Sequence, residues 1–201
     1  MAVEKEVLHG PIFMAAMALA AEMGGAVGVK ADGAEDVAVI SRIVKIPVMG
    51  MQWEADPSGK RWVTPTFKAA DALIQAGCDI VALAGAGGRP YGDPVPDLIR
   101  HVHDQGKAVM VDVATLEEAR AMEREGADLL RPTYRQATPD FDFVAAVAKA
   151  VSTPVVAEGG YWRPEEVAKA FQLGCYCAVV GTAITRPADI TKYWVRTINQ
   201  G

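Results

Sequence analysis

One stretch, residues 154–187, constrains the fold more than any other part of the chain. An apolar run at 155–157 ends in Glu158, an amphipathic segment follows, and a second apolar run occupies 177–180. The residues directly beyond the two apolar runs are glycine or threonine: Gly159, Gly160, Gly181 and Thr182. This pattern predicts a β-α-β unit whose backbone amides can hold a phosphate, as in the last two units of many (β/α)8 barrels. An ordinary crossover in which the glycines only turn the chain fits the pattern equally well.

The rest of the chain repeats the alternation of strand and helix without repeating a sequence. Seven apolar segments are predicted as strands: 26–29, 46–51, 79–83, 108–113, 127–130, 155–157 and 177–180. Such alternation favours an all-parallel (β/α)8 TIM barrel over an open, doubly wound sheet. The length of 201 residues fits a single domain, 1–201. The polar stretch 52–61 is predicted as a long loop.

The beginning of the chain departs from the barrel pattern. A helix is predicted from Pro11 to about Met23, so eight helices accompany the seven strands and the first strand is missing or atypical. Either residues 4–8 form a poor first strand, or the barrel is open between its first and last predicted strands. Because an open gap exposes unpaired strand edges, we expect a homodimer or another oligomer, or the N-terminal segment, to cover it.

Composition excludes several kinds of partner. A formal net charge of -5 does not provide the excess of positive charge that binding to nucleic acid or to an anionic membrane requires. The apolar segment 12–21 is much shorter than the roughly 20 residues that a membrane span needs. The sequence therefore predicts no nucleic-acid partner and no membrane association.

The three cysteines are Cys78, Cys175 and Cys177, an odd number in apolar surroundings, and no signal peptide precedes them. They predict buried structural thiols in a cytoplasmic protein. No metal site is expected, because His101 and His103 are two residues apart on a predicted helix and do not face each other.

Three stretches carry a specific family resemblance: 17–37 (MALAAEMGGAVGVKADGAEDV), 63–83 (VTPTFKAADALIQAGCDIVAL) and 157–187. The most diagnostic motifs within them are Thr64-Pro65-Thr66, Ala157-Glu158-Gly159 and the segment 181–187, GTAITRP. Together these stretches closely resemble the bacterial N-acetylmannosamine-6-phosphate 2-epimerases of sialic-acid and amino-sugar catabolism. The resemblance covers nearly the whole chain.

The resemblance implies a TIM-barrel isomerase that interconverts N-acetylmannosamine 6-phosphate and N-acetylglucosamine 6-phosphate. Its reaction removes a proton from carbon 2 of the open-chain sugar and returns one, without metal or organic cofactor. Glu158 matches the glutamate of the family's proton shuttle, and Asp112 matches an acid on the fifth strand. Lys30 stands where the family usually has an arginine, and Arg186 matches the arginine on its phosphate side.

The sequence departs from the family pattern on the catalytic face. The family's lysine after the third strand is absent, with Gln52 or Trp53 in its place, and Ala84 replaces an aspartate after the fourth strand. Arg131 and Arg135 stand in a loop where the family has small and hydroxyl residues. The predicted substrate-binding residues are Lys30, Gln52, Arg89, Arg131, Gly159, Gly160, Gly181, Thr182 and Arg186.

Three functions are compatible with these residues. The first is the epimerase reaction with Glu158 as a single base, assisted by Asp112, Gln52 or Arg131. The second is a repurposed phosphate-binding barrel acting as a lyase, isomerase or synthase, in which Arg89, Arg131 and Arg135 bind a further carboxylate or phosphate. The third is a non-catalytic barrel subunit that a partner completes.

Overall fold

A computed structural model describes residues 7–85, 91–133 and 138–199. Seven parallel strands form the centre of its fold, and at least one helix follows each strand before the next parallel strand begins. The parallel strands are β1 (Val29–Asp32), β2 (Val48–Met51), β5 (Ile80–Ala84), β6 (Ala108–Val113), β7 (Leu129–Pro132), β8 (Val156–Glu158) and β9 (Cys177–Val179). Two further strands, β3 (Trp53–Ala55) and β4 (Arg61–Val63), form a separate antiparallel hairpin.

The helices lie between the strands and at both ends of the described chain. They are α1 (Pro11–Met23), α2 (Ala34–Ile40), α3 (Phe67–Gln75), α4 (Val95–Asp104), α5 (Leu116–Arg124), α6 (Phe141–Ala150), α7 (Pro164–Gln172), α8 (Thr182–Thr185) and α9 (Pro187–Asn199). Three of them begin at a residue whose side chain accepts a hydrogen bond from a first-turn amide: Thr66, Thr115 and Asp140. Such N-caps satisfy backbone donors that have no partner within the helix.

The strand order confirms the predicted barrel architecture. Strands β1, β2, β5, β6 and β7 are hydrogen-bonded in that order, a bridge between Leu130 and Val155 continues to β8, and β8 pairs with β9. Each strand thus lies beside its sequence neighbour, as a singly wound barrel requires. No pairing joins β1 to β9 in the part of the chain that the structure describes.

The eighth strand position stays empty within the described ranges. Val7 and Leu8 lie in a turn, while residues 4–6 of the alternative first strand lie outside the described residues. The predicted bounds of β1 were wrong. We predicted a strand at 26–29 ending before Lys30, but β1 begins at Val29, where it pairs with Val48, and so it includes both Lys30 and Asp32.

Side-chain alternation separates two apolar layers. Residues that point outward pack against the helices; on β6 these are Val109, Val111 and Val113. A smaller cluster fills the barrel interior: Met49, Met51, Val63, Ala82, Met110 and Val156. Because successive side chains of a strand point to opposite faces, every second residue of β6 faces the interior. The charged residues of the site lie above this interior cluster.

The predicted loop at 52–61 was wrong. Its two ends form β3 and β4, which pair antiparallel, and Asp56 holds the turn between them by accepting hydrogen bonds from the amides of Ser58 and Lys60. The hydrogen bond from the Ser58 hydroxyl, with that from the Trp62 indole, lowers the pKa of Asp56 to about 2. The sequence Asp-Pro-Ser-Gly at 56–59 is a turn signal that could have predicted the hairpin.

Across the described residues no helix has the length and apolar character that a membrane crossing would need.

Candidate active site

Four charged side chains meet at the carboxyl ends of four barrel strands. They come from β1, β6, β7 and β8: Lys30, Asp112, Arg131 and Glu158. Their direct strand neighbours, such as Val111 and Leu130, pack outward against the helices. Since side chains alternate along a strand, the four charges point into the barrel mouth. Catalytic groups of this fold lie at this end of the barrel.

Lys30 and Glu158 form the closest ion pair of the site. The Lys30 Nζ atom lies 2.8 Å from Glu158 Oε1 and 2.7 Å from Glu158 Oε2, so the ammonium donates to both carboxylate oxygens. The side chains are 6% and 17% exposed, respectively. The residues are 128 positions apart in the chain. The contact joins β1 to β8 across the mouth, although these strands share no backbone hydrogen bonds.

Arg131 connects the other two carboxylates. Its Nη1 atom donates to Asp112 Oδ2 over 2.5 Å, and its Nε atom lies 3.3 Å from Glu158 Oε2. Asp112 and Arg131 are direct partners in the register of β6 and β7, which explains why their side chains meet. Asp112 is buried, and its Oδ1 atom has no hydrogen-bond partner among the described residues. A substrate hydroxyl or amide could donate to this oxygen.

The surroundings of Glu158 keep it ionised. Burial raises its pKa, but the charges of Lys30 and Arg131 act in the opposite direction, and the net result is a pKa below the usual glutamate value. A carboxylate with two adjacent cations is the base form that abstraction of a proton from carbon requires.

Two glycines beyond β8 have positive φ angles, whereas Gly181 beyond β9 does not. Gly159 and Gly160 have φ angles of 108° and 75°, in the region that side chains disfavour. Gly181 precedes the short helix α8, and a Cβ atom added there would meet nothing within 4 Å. Arg186 ends α8, with Nη1 3.8 Å from Asp189 Oδ2. Phosphate binding by these residues and by Thr182 stays a prediction.

Gln52 lies in a cleft whose lining includes neither Glu158 nor Asp112. It lines this cleft, of about 410 Å³, together with His9 and Asp32. Asp32 is a residue that the sequence analysis missed: burial raises its pKa, and the nearby charge of Arg61 only partly offsets this. The signal was present in the sequence, because Asp32 follows Lys30 by two positions and so lies on the same face of a strand.

The remaining predicted residues divide into those on the hairpin and those outside the described ranges. Trp53 is partly exposed on β3, with the Arg61 guanidinium 5.0 Å from its ring centroid. The Lys60 Nζ atom lies 3.9 Å from the ring centroid of Trp62, so this ammonium contacts the hairpin and not the four charged side chains. Arg89 and Arg135 lie outside the described residues, and their predicted contacts with an anion stay predictions.

Two of the cysteines are buried, and two of the histidines contact aspartates. Burial raises the pKa of Cys78 to about 11 and that of Cys175 to about 11, so both thiols stay protonated at neutral pH. His101 contacts Asp71, whereas His103 contacts Asp128. In the three described ranges, no group of three or more histidine, cysteine, aspartate or glutamate residues is placed to hold a metal ion.

Comparison with known proteins gives the same family from sequence and from structure. Residues 14–200 match a family model described as "Putative N-acetylmannosamine-6-phosphate epimerase". A protein called "Putative N-acetylmannosamine-6-phosphate 2-epimerase" from Caldanaerobacter subterraneus subsp. tengcongensis is 39% identical over 210 residues, covering 99% of this chain and 89% of the relative. A protein of the same name from Clostridium perfringens is 38% identical, covering 95% of this chain and 90% of the relative.

The fold also matches a solved structure closely. The N-acetylmannosamine-6-phosphate 2-epimerase from Clostridium perfringens superposes with a TM-score of 0.91 at 36% identity, covering 98% of this chain and 90% of that chain. The agreement extends over the whole barrel.

Proposed function

Because the chain belongs to the N-acetylmannosamine-6-phosphate epimerase family, we propose that it interconverts N-acetylmannosamine 6-phosphate and N-acetylglucosamine 6-phosphate. The observation that carries the proposal is the buried Glu158 carboxylate, held ionised by Lys30 and Arg131 at the mouth of the barrel. A base in this position can remove a proton from a carbon next to a carbonyl group.

The proposed reaction uses the open-chain sugar, in which carbon 2 lies beside the aldehyde carbon. Glu158 takes the proton from carbon 2, and the electron pair of the broken C–H bond forms an enolate whose charge develops on the aldehyde oxygen. Arg131 can stabilise that oxygen, since a fixed cation in a water-poor site acts strongly on developing charge. Asp112 fixes Arg131 through Oδ2 and presents Oδ1 to a substrate donor.

The phosphate is proposed to bind beyond the ends of β8 and β9. Gly159, Gly160, Gly181 and Thr182 supply small or hydroxyl residues there, and Arg186 supplies a positive charge at the end of α8. The open space around the position of a Cβ atom at Gly181 supports close approach of an anion to the backbone. Arg89 is proposed as an additional cation for the same substrate, and Gln52 as a polar contact from the cleft.

One observation favours the epimerase over a barrel that binds a second anionic group. The Arg131 guanidinium already contacts two carboxylates, those of Asp112 and Glu158. Its positive charge is therefore balanced within the protein, which suits the charge that develops on an enolate oxygen better than the full charge of an additional substrate carboxylate.

The test is exchange of the carbon 2 hydrogen in heavy water. Incubation of the protein with N-acetylmannosamine 6-phosphate should place deuterium at carbon 2 and yield N-acetylglucosamine 6-phosphate, both followed by proton nuclear magnetic resonance. The folded variant Glu158→Gln serves as the matched control and should do neither. Absence of exchange with the wild-type protein at saturating substrate would rule out the proposed reaction.

We also propose that a second copy of the chain covers the gap beside β1 and β9. Large apolar side chains are exposed near both ends of the described chain: Ile12, Met23 and Val27 around α1, and Trp194, Val195 and Ile198 on α9. Helix α9 has no buried residue, and of its aromatic side chains Tyr193 stacks on Trp162 whereas Trp194 is 62% exposed. Sedimentation should give a mass of at least two chains, and a monomer at micromolar concentration would refute this proposal.

The cytoplasm is the compartment we propose. Support comes from the three cysteines, which are free thiols with Cys78 and Cys175 buried. Reducing compartments preserve such thiols. Fractionation of cells that express the protein would test this, and recovery outside the cytoplasmic fraction would contradict it.

A further inference from the structure

We infer that Lys30 is the second proton-transfer group of the site and delivers a proton to the face of carbon 2 opposite Glu158. The inference rests on the proposed epimerase reaction and assigns Lys30 a catalytic role in addition to binding. Its basis is the direct contact of the Lys30 ammonium with both oxygens of the Glu158 carboxylate, inside the barrel mouth and almost fully buried.

The chemistry requires a donor besides Glu158. Epimerisation inverts carbon 2, so the proton that leaves one face must be replaced by a proton on the other face. A single carboxylate fixed on one side of carbon 2 returns the proton to the side from which it came, unless the substrate rotates within the site so that its other face meets the carboxylate. A second group that can give up a proton is therefore expected on the opposite side of the carbon.

Lys30 fits this requirement better than its neighbours. In the described part of the chain, the cations within ion-pair distance of Glu158 are Lys30 and Arg131. An arginine guanidinium does not lose its proton in proteins, whereas a lysine nitrogen works in active sites in both its protonated and neutral forms. Asp112 is held on the far side of Arg131 and is an acceptor there. The Gln52 amide does not titrate.

The contact between the two groups also explains how the site returns to its starting state. A carbon that reacts between them needs each group about 3 to 3.5 Å away, so the substrate must separate the pair, which the flexible lysine stem permits. Glu158 then gains the proton from carbon 2, and Lys30 loses one to its opposite face. When the product leaves, the pair closes again, and the Glu158 carboxylic acid returns its proton to the neutral Lys30 amine. No net proton is consumed.

The variant Lys30→Arg separates proton transfer from positive charge. An arginine keeps a cation beside Glu158 but does not release a proton. We expect epimerisation to fall by at least about 100-fold, while deuterium from heavy water still enters carbon 2 of one epimer, without inversion, within about tenfold of the wild-type rate. Each epimer is supplied separately, and exchange and inversion are measured in the same sample.

Lys30→Gln is the second variant, because it keeps a hydrogen-bond donor toward Glu158 if the longer guanidinium does not fit. It should show the same one-sided exchange. The surface variant Lys60→Arg is the matched control and should keep both activities, and thermal melting verifies that each variant is folded. Epimerisation by Lys30→Arg within tenfold of the wild type, or loss of exchange from both epimers in both folded variants, would overturn the inference. A wild-type protein that exchanges neither epimer would instead overturn the proposed function itself.

Discussion

Replacing Arg131 by methionine tests whether the four charges act as one buried network. Methionine has a similar length and no charge, so the change removes the cation and leaves Asp112 as an uncompensated carboxylate that is only 7% exposed. Loss of one partner from a buried pair costs about 3 to 5 kcal/mol. Because the Arg131 side chain keeps 17% exposure, we expect the lower end, about 3 kcal/mol of unfolding free energy.

A second substitution should reverse part of this loss. Adding Asp112→Asn to Arg131→Met removes the charge that lacks a partner, and we expect it to restore roughly 2 kcal/mol. For a chain of this size, about 3 kcal/mol corresponds to a melting temperature lowered by roughly 6 to 12 °C. Urea unfolding at neutral pH, with an unchanged dependence on denaturant, measures the free energies.

The matched control is Arg100→Met, which removes an exposed arginine paired with Asp97 on the surface of α4. Exposed pairs contribute about 0 to 1 kcal/mol, so this variant should unfold close to the wild type. Two results would refute the reasoning. One is a loss for Arg131→Met no larger than that of the control, and the other is a further loss when Asp112→Asn is added.

Three other perturbations have defined outcomes. Since the pKa of Glu158 lies below its usual value, the decrease of kcat/KM toward acid pH, corrected for substrate ionisation, should have its midpoint below pH 4.5. The folding stability that this shift contributes is present above that pH and is lost as the pH falls through the lowered pKa. A midpoint at or above pH 4.5 would contradict this. Gly85→Ala should cost roughly 1 to 3 kcal/mol, because its Cβ atom would overlap the buried Val111 side chain, and unaltered urea unfolding would contradict it. Thr66→Ala removes the N-cap of α3 and should cost about 0.5 to 2 kcal/mol in the same assay, whereas Thr66→Ser should cost less.

Much of the barrel could be predicted from local pattern. Apolar runs of strand length, glycines after helices and N-caps such as Thr115 are short-range signals, so most helices and strands were placed within a few residues. The bounds of β1 were missed, because the start of that strand depends on its pairing with β2 and not on its own composition. The hairpin at 53–63 was missed since a polar sequence was interpreted as a loop, although Asp56 and Gly59 form a recognisable turn.

The candidate site was only partly predictable for the same kind of reason. Alternation along a strand places Asp112 on the same face as Met110 and Glu158 on the same face as Val156, and the sequence by itself determines this. It also determines that Lys30 and Arg131 stand near strand ends, and that no lysine follows β2 directly. These properties depend on neighbours within one strand.

The tertiary structure alone decided which charges meet. Lys30 and Glu158 are 128 residues apart, and their contact exists because the curved sheet brings β1 opposite β8 at the barrel mouth. Arg131 reaches both carboxylates because β7 lies between β6 and β8 in the strand order. Such contacts depend on how the strands pair around the barrel, which is a property of the whole chain. For this reason a lysine predicted only to bind substrate proved to be the direct partner of the predicted base.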